Sequence, residues 1–231
     1  MWCGARARPG PPEPHPAASG VTRKTLKQSI APELLRPPMA HTGMAIGLLG
    51  GSFNPPHAGH LAISRHALTR LRLDRLWWLV TPGNPLKPRD ELAELGNRLA
   101  AARALACDPR IEVTGFEASL GSPYTVDTLR HIRRRYRGVN FVWLMGADNL
   151  RDFHHWHDWQ EIFHLLPIAV LDRPGYGLPA TAAQAARTFA RYRVDPSDAA
   201  GLAQMAPPAW TFLTLPLNPS SSTAIRRSGM S

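Results

Sequence analysis

The chain has 231 residues, with 27 Lys and Arg against 17 Asp and Glu, and two cysteines. That length supports one well-filled core with at most a small subdomain. Cys3 and Cys107 make neither a disulfide framework nor a cysteine zinc site and point to a reducing cytoplasm. No apolar run approaches the ~18 residues of a membrane span, and the first residues lack the apolar core of a signal peptide. The basic balance invites a polyanion or small anionic substrates, with dispersed, merely solubilising arginines as the plainer alternative.

Residues 1–43 hold eight of the 23 prolines and six Arg or Lys. Such a composition buries too little to offset ordering, so it predicts a disordered, basic, Pro-rich extension. Met39 or Met44 is then an alternative natural start. An organelle transit peptide is a further reading, weakened because the arginines lack amphipathic spacing. A single domain follows over 44–231.

In that domain, apolar strands alternate with helical patterns. A strand is expected at 44–49, a helix at 58–72, and a strand at 76–80. The last is a continuous apolar run of the kind buried in a parallel sheet. A helix at 90–107 stops at Asp108-Pro109, and a short strand covers 111–113. A helix to about 136 opens at Ser122 and ends at Gly138. A strand at 141–145, a helical region at 149–165 and a strand at 168–171 come next. Residues 180–192 are expected to be helical and 193–210 to be loop. A strand at 212–215 and a short helix from Ser220 finish the chain. The alternation predicts an α/β fold, a Rossmann-like doubly wound parallel sheet with a small C-terminal helical part. Ligands bind beyond the carboxyl ends of such strands, so the turns at 50–57, 81–87 and 146–148 face one crevice.

The first of these turns is the most informative. Residues 47–60 read GLLGGSFNPPHAGH. There is no Gly-Lys-Ser/Thr of a P-loop, and glycines at 47, 50, 51 and 59 do not fit G-x-G-x-x-G. Helix-mouth amides lack intrahelical partners and favour an anion. Gly50 and Gly51 let phosphates approach the backbone. His57 and His60 share one side of the helix. As metal ligands they lack a third partner nearby. As donors they suit phosphate oxygens whose charge grows in a transition state. Two ordinary helix-start histidines are the bland alternative.

GGSFNPPHAGH resembles the GG(S/T)F(D/N)PxHxGH signature of the nucleotidyltransferase superfamily of adenylyl- and cytidylyltransferases. Ser221-Ser222-Thr223-Ala224-Ile225-Arg226 is similar to its second signature, S-(S/A/T)-T-x-I-R. Hydroxyls there cap a helix, and Arg226 can fork onto phosphate. A plain capped helix is the alternative. The middle of the chain resembles bacterial nicotinate-nucleotide adenylyltransferases. Residues 81–87 (TPGNPLK) are similar to a PxxxPxK loop, and 122–129 (SPYTVDTL) to SYTxDTL with Pro123 inserted. Residues 146–150 with 156–159 look like G(A/S)DxL…WxxW, and 172–176 match RPGY.

The resemblance implies adenylyl transfer from ATP to nicotinate mononucleotide, giving nicotinate adenine dinucleotide and pyrophosphate, with Mg²⁺ on the phosphates and no covalent enzyme intermediate. It implies His57, His60 and Arg226 as catalytic residues. Gly50, Gly51, Ser52, Phe53, Ser221, Ser222, Thr223 and Ile225 would hold ATP. Lys87, Thr125, Asp148, Trp156 and Arg173 would hold the mononucleotide. Plainer roles compete: core packing for Trp156, helix capping for Asp148 and Thr125, bare surface for Lys87. His154, His155, His157 and His164 are read as solvated surface rather than a metal set. Nicotinamide mononucleotide or another phosphate acceptor is the alternative substrate. A nucleic-acid module using Arg130, Arg133, Arg134, Arg135 and Arg137 beside Tyr136 is a remote one. No membrane partner is expected, and a homo-oligomer is compatible with the sequence.

Overall fold

The computed structural model describes residues 30–83, 92–172 and 182–214. The strands are β1 (Ala45–Gly51), β2 (Arg75–Val80), β3 (Ile111–Thr114), β4 (Asn140–Gly146), β5 (Ile168–Leu171) and β6 (Trp210–Leu213). The helices are α1 (Ala58–Arg70), α2 (Leu95–Leu105), α3 (Glu117–Leu120), α4 (Thr125–Arg135), α5 (Ala147–Asp152), α6 (Trp159–Leu165) and α7 (Gln184–Thr188). The strands form one sheet in the order β3-β2-β1-β4-β5-β6, and every adjacent pair is parallel. This is a doubly wound α/β order whose direction reverses between β1 and β4, where ligand crevices form.

Side-chain alternation along the strands separates two cores. Leu49, Trp78, Val80, Val142, Leu144 and Leu171 face one layer, with Ile63 and Leu68 of α1 and Leu99 of α2. Leu48, Trp77, Leu79, Trp143, Met145 and Val170 face the other, with Leu129 of α4 and Phe163 of α6. Both faces are covered, which is why these strands read as unbroken apolar runs.

Several local expectations need correcting. The region 149–165 is not one helix. It breaks into α5, a 3-10 turn at Phe153–His155 and α6, and Asp158 adopts a left-handed φ of 48° at the start of α6. Among the described residues 182–192, helix is confined to α7 and a 3-10 turn at Ala190–Tyr192; the Phe189 carbonyl is taken by the Trp210 indole at 2.8 Å. The expected loop 193–210 holds a 3-10 helix, Pro196–Gln204, whose N-cap Asp195 accepts from the Ser197 amide. The expected terminal strand lies two residues earlier, and the final helix falls outside the described residues.

The boundary at 44 lies too late. Ile30 is buried, and Leu34 and Leu35 pack on the first core. The Leu34 carbonyl accepts from the Gly115 amide at 2.7 Å. Ser119 Oγ donates to the Leu35 carbonyl at 3.3 Å, and the Tyr136 hydroxyl to the Pro38 carbonyl at 2.8 Å. Residues 30–43 therefore strap β3, α3 and the end of α4. Their order comes from backbone partners and three apolar side chains, which a periodicity test does not register.

Candidate active site

The loop leaving β1 is fixed from several directions. A Cβ on Gly50 would lie 2.5 Å from Trp143 Cη2, so only glycine lets this strand end sit on the indole of β4. Phe53 takes a left-handed φ of 47°, a conformation costing a non-glycine residue about 1 kcal/mol. Its ring is buried against His60 at 4.6 Å and Trp78 at 5.1 Å between centroids. Phe53 thus supports the loop from beneath. Asn54 Oδ1 accepts from the Ala93 amide at 3.2 Å.

His57 and His60 cap α1 reciprocally. His57 Nδ1 accepts from the Gly59 amide at 3.1 Å, and His60 Nδ1 accepts from the His57 amide at 3.2 Å. Both side chains are buried, with ring centroids 3.9 Å apart. This is a capping box in which imidazoles replace the usual hydroxyl and carboxylate. It also corrects the simple helix-mouth picture, because the histidines consume two of the amides expected to face an anion. An amide hydrogen pointing at Nδ1 requires a lone pair there, so each neutral ring carries its proton on Nε2.

Arg98 of α2 was not singled out from the sequence. Only 3% exposed, it donates from Nη1 to the Ser52 carbonyl at 2.7 Å and the Thr81 carbonyl at 2.8 Å, and from Nε to the Ala93 carbonyl at 2.7 Å. It clamps the carboxyl ends of β1 and β2 together. Desolvation pulls its guanidinium down to about 10, which still leaves it charged near neutrality. A signal existed: Leu95, Leu99 and Ala102 form the buried stripe of α2, and an arginine at 98 sits inside it.

The other side of the crevice is built from β2's turn, α3, α4 and the segment after β4. Thr81 donates its amide to the Gly51 carbonyl at 3.0 Å and its hydroxyl to the Gly83 carbonyl at 3.1 Å. Glu117 of α3 is buried and accepts from Thr128 Oγ1 at 2.9 Å. Burial pushes its carboxyl up to about 7, while hydrogen bonds from Thr128 and Thr81 pull the other way. Thr125 opens α4, but Tyr124 is the N-cap and no side chain caps the helix. Ser122 Oγ instead donates to Asp127 Oδ2 at 2.6 Å.

Asp148 lies at the switch point, just past β4. The capping alternative does not hold, since Gly146 is the N-cap of α5 and no side chain caps it. Asp148 Oδ1 is buried with no hydrogen-bond partner among the described residues, as suits an acceptor awaiting a ligand hydroxyl. Trp156 is half-buried and, among the described residues, has one ring contact, to Phe153 at 5.0 Å. Trp159 packs among Phe153, Phe163 and Phe189. The break in the helix separates the two indoles.

The four nearby histidines have separate neighbours. His154 faces His155 at 3.9 Å, His157 lies on Tyr124 at 4.3 Å, and His164 meets Phe189 edge-on. The arginine cluster is also committed elsewhere. Arg130 pairs with Asp127, Asp158 and Glu161, tying α4 to α6. Arg133 donates to the Leu165 carbonyl. Lys87, Arg173, Ser221, Ser222, Thr223, Ile225 and Arg226 lie outside the described residues.

A doubly wound parallel sheet with an imidazole-capped helix at its switch point is the framework of a Rossmann-like nucleotidyltransferase. The family model described as cytidylyltransferase-like matches residues 48–228. A probable nicotinate-nucleotide adenylyltransferase of Methylorubrum extorquens (strain PA1) is 61% identical over 183 residues, covering 79% of this chain and 99% of that protein. One from Rhizobium johnstonii is 53% identical over 189 residues, covering 82% and 95%. Among solved structures, Plasmodium falciparum nicotinic acid mononucleotide adenylyltransferase complexed with NaAD has a TM-score of 0.57 at 16% identity, over 81% of this chain and 83% of that one. That last likeness is one of fold. The chain belongs to the cytidylyltransferase-like family and, within it, to the nicotinate-nucleotide adenylyltransferases.

Proposed function

We propose that the protein transfers the adenylyl group of ATP to nicotinate mononucleotide, forming nicotinate adenine dinucleotide and pyrophosphate in NAD biosynthesis. The observation that supports the mechanistic reading is the reciprocal histidine cap, which holds two buried imidazoles by their Nδ1 atoms at the mouth of α1. A 5′-phosphate oxygen of the mononucleotide attacks the α-phosphorus. A new P–O bond forms, the bond to the β-phosphate oxygen breaks, and its electron pair leaves on pyrophosphate. The nucleophile is already an anion, so no base is needed. Rate comes from alignment and from donors aimed at oxygens whose charge grows.

His57 and His60 supply those donors, with Arg226 completing the set from the far end of the chain. Gly50, Gly51, Ser52 and Phe53 form the floor under the phosphates, while Ser221, Ser222, Thr223 and Ile225 hold the β/γ side. On the acceptor side, Asp148 takes hydrogen bonds from a ribose, Thr125 faces the nicotinate carboxylate, and Trp156 offers its outer face to the pyridine. Lys87 meets the phosphate, and Arg173 belongs to the mononucleotide side. The donors around α1 are imidazoles and amides rather than a carboxylate pair, which suits Mg²⁺ arriving on ATP as substrate. Bound that way, it neutralises phosphate charge. Among the described residues no helix is long and apolar enough to cross a membrane. A cytoplasmic enzyme is proposed, one compatible with a homo-oligomer.

Pyrophosphate release with ATP and either nicotinate or nicotinamide mononucleotide tests the reading. Strong preference for nicotinate mononucleotide is expected. Good turnover only with another phosphate acceptor would sink the substrate assignment and keep the reaction class.

A further inference from the structure

We infer that Arg98 is a positioning residue for the phosphate side of the site: by taking the Ser52 and Thr81 carbonyls it ends the β1–β2 ladder and leaves the Phe53 amide as a fixed donor to an anion. The inference rests on the reading that this turn lies under the phosphates of ATP.

The ladder itself carries it. Gly51 is in register with Val80, and the Thr81 amide donates to the Gly51 carbonyl at 3.0 Å. In a parallel pair the next rung would send the Phe53 amide to the Thr81 carbonyl. That rung is not made. Arg98 Nη1 holds the Thr81 carbonyl at 2.8 Å and the Ser52 carbonyl at 2.7 Å instead. The Ser52–Phe53 peptide is trans, so its N–H points opposite to its C=O. With that carbonyl turned onto the guanidinium, the Phe53 amide faces away from Arg98. It has no hydrogen-bond partner among the described residues, although Phe53 is buried. A buried amide in that state is rare in a folded chain and calls for a ligand.

Two further contacts keep this geometry from relaxing. Ala93 is gripped at both backbone groups: its carbonyl accepts from Arg98 Nε at 2.7 Å, and its amide donates to Asn54 Oδ1 at 3.2 Å. The turn is thus anchored on both sides of Phe53, through the Ser52 carbonyl and the Asn54 side chain. Phe53 itself stands at a left-handed φ of 47°, with its ring buried against His60 and Trp78. Such a conformation persists only where its surroundings over-determine it. Charge adds to position. The three hydrogen bonds of Arg98 all go to carbonyls, and among the described residues no carboxylate pairs with it. A buried, unneutralised positive charge therefore lies one peptide away from the Phe53 N–H. A charged donor on the carbonyl polarises the peptide and strengthens its amide as a donor. An anion at that amide is also what would neutralise the arginine.

Arg98→Met and Arg98→Lys in the full chain test the inference. The readouts are the calorimetric Kd for ATP with Mg²⁺, kcat and KM for nicotinate mononucleotide, and the Phe53 amide resonance in protein carrying nitrogen-labelled phenylalanine. In the wild type, ATP is expected to move the Phe53 amide proton downfield. Arg98→Met keeps the apolar stem and loses the donors. Where folded, it should abolish that shift and weaken ATP about tenfold, the scale of one lost charge-assisted hydrogen bond. It should lower kcat about 10²-fold, as for a misplaced reacting group, with KM for the mononucleotide within about threefold. Arg98→Lys keeps the charge without the fork, so it should retain part of the shift and lie between the two. An arginine that only held the fold would leave the folded variants with wild-type ATP affinity, kcat and Phe53 shift, and that result would overturn the inference. So would a wild-type Phe53 amide that does not respond to ATP, or a rise in mononucleotide KM as large as the loss in ATP affinity. If Arg98→Met does not fold, Arg98→Lys decides by the same readouts. Absence of wild-type turnover on nicotinate mononucleotide would remove the functional reading, while ATP affinity and the Phe53 shift would still decide whether Arg98 sets the donor.

Discussion

The two sides of the crevice are held in different ways. On the α1 side the loop rests on fixed donors and packed rings. Arg98 grips three carbonyls, two imidazoles cap one helix, and Phe53 is sealed between His60 and Trp78. On the side proposed for the acceptor the supports are hydroxyls, one buried carboxyl and a half-exposed ion-pair cluster around Arg130. The first set is built from buried groups. The second contains a group poised to titrate and charges that salt screens. If the substrates sit as proposed, the triphosphate meets the side fixed by buried donors and rings, and the acceptor meets the side held by a buried carboxyl and screened charges.

Variants on each side should break that contrast in order of size. His60→Ala removes a donor and half of the cap. Turnover is expected to fall by about 10²–10³ or more, as for loss of a single oxyanion donor, with the circular dichroism spectrum unchanged. Near-normal turnover would take His60 out of the mechanism. Arg98→Met strands three carbonyls, and urea unfolding should show a loss of about 3 kcal/mol or more. A neutral result would mean the clamp is dispensable. A chain starting at Met44 lacks Ile30, Leu34 and Leu35, and should lose about 2–4 kcal/mol, the cost of emptying a comparable apolar site.

The Glu117 carboxyl is raised in the folded state from 4.5 to about 7. The neutral acid is thus favoured by folding. Its contribution is full below pH 4.5, declines as pH rises, and is gone above about 7. Wild type should lose about 3 kcal/mol relative to Glu117→Gln across that window in thermal or urea unfolding. Parallel curves would sink the assignment. The smallest effect belongs to Arg130→Ala. It should raise KM for the mononucleotide at low salt, and the difference should vanish at high salt.

Much of this was legible in the sequence, and the reasons are specific. Strand runs such as Leu76–Val80 announce themselves because both faces are buried. The β1–α1 turn stood out because glycines, prolines and paired histidines leave few other geometries. The strap at 30–43 did not, since its order depends on carbonyl partners at Gly115 and Ser119, more than 80 residues along the chain. Arg98 was masked by the habit of reading arginine as surface, although its neighbours in α2 marked it as buried. Glu117 sits in a helix of four residues, too short for any period to place. The break at Asp158 came from a left-handed turn on a residue type that tolerates one but does not announce it.

The contact between Gly50 and Trp143 has an evolutionary consequence. The end of β1 and the ring in the neighbouring strand occupy one shared volume. Neither position can drift alone. Gly50→Ala in isolation should damage packing, and shrinking the ring at 143 should recover part of the loss, as coupled neighbours do. Among homologues the two sites are expected to covary, with a side chain at 50 appearing only where 143 has become smaller.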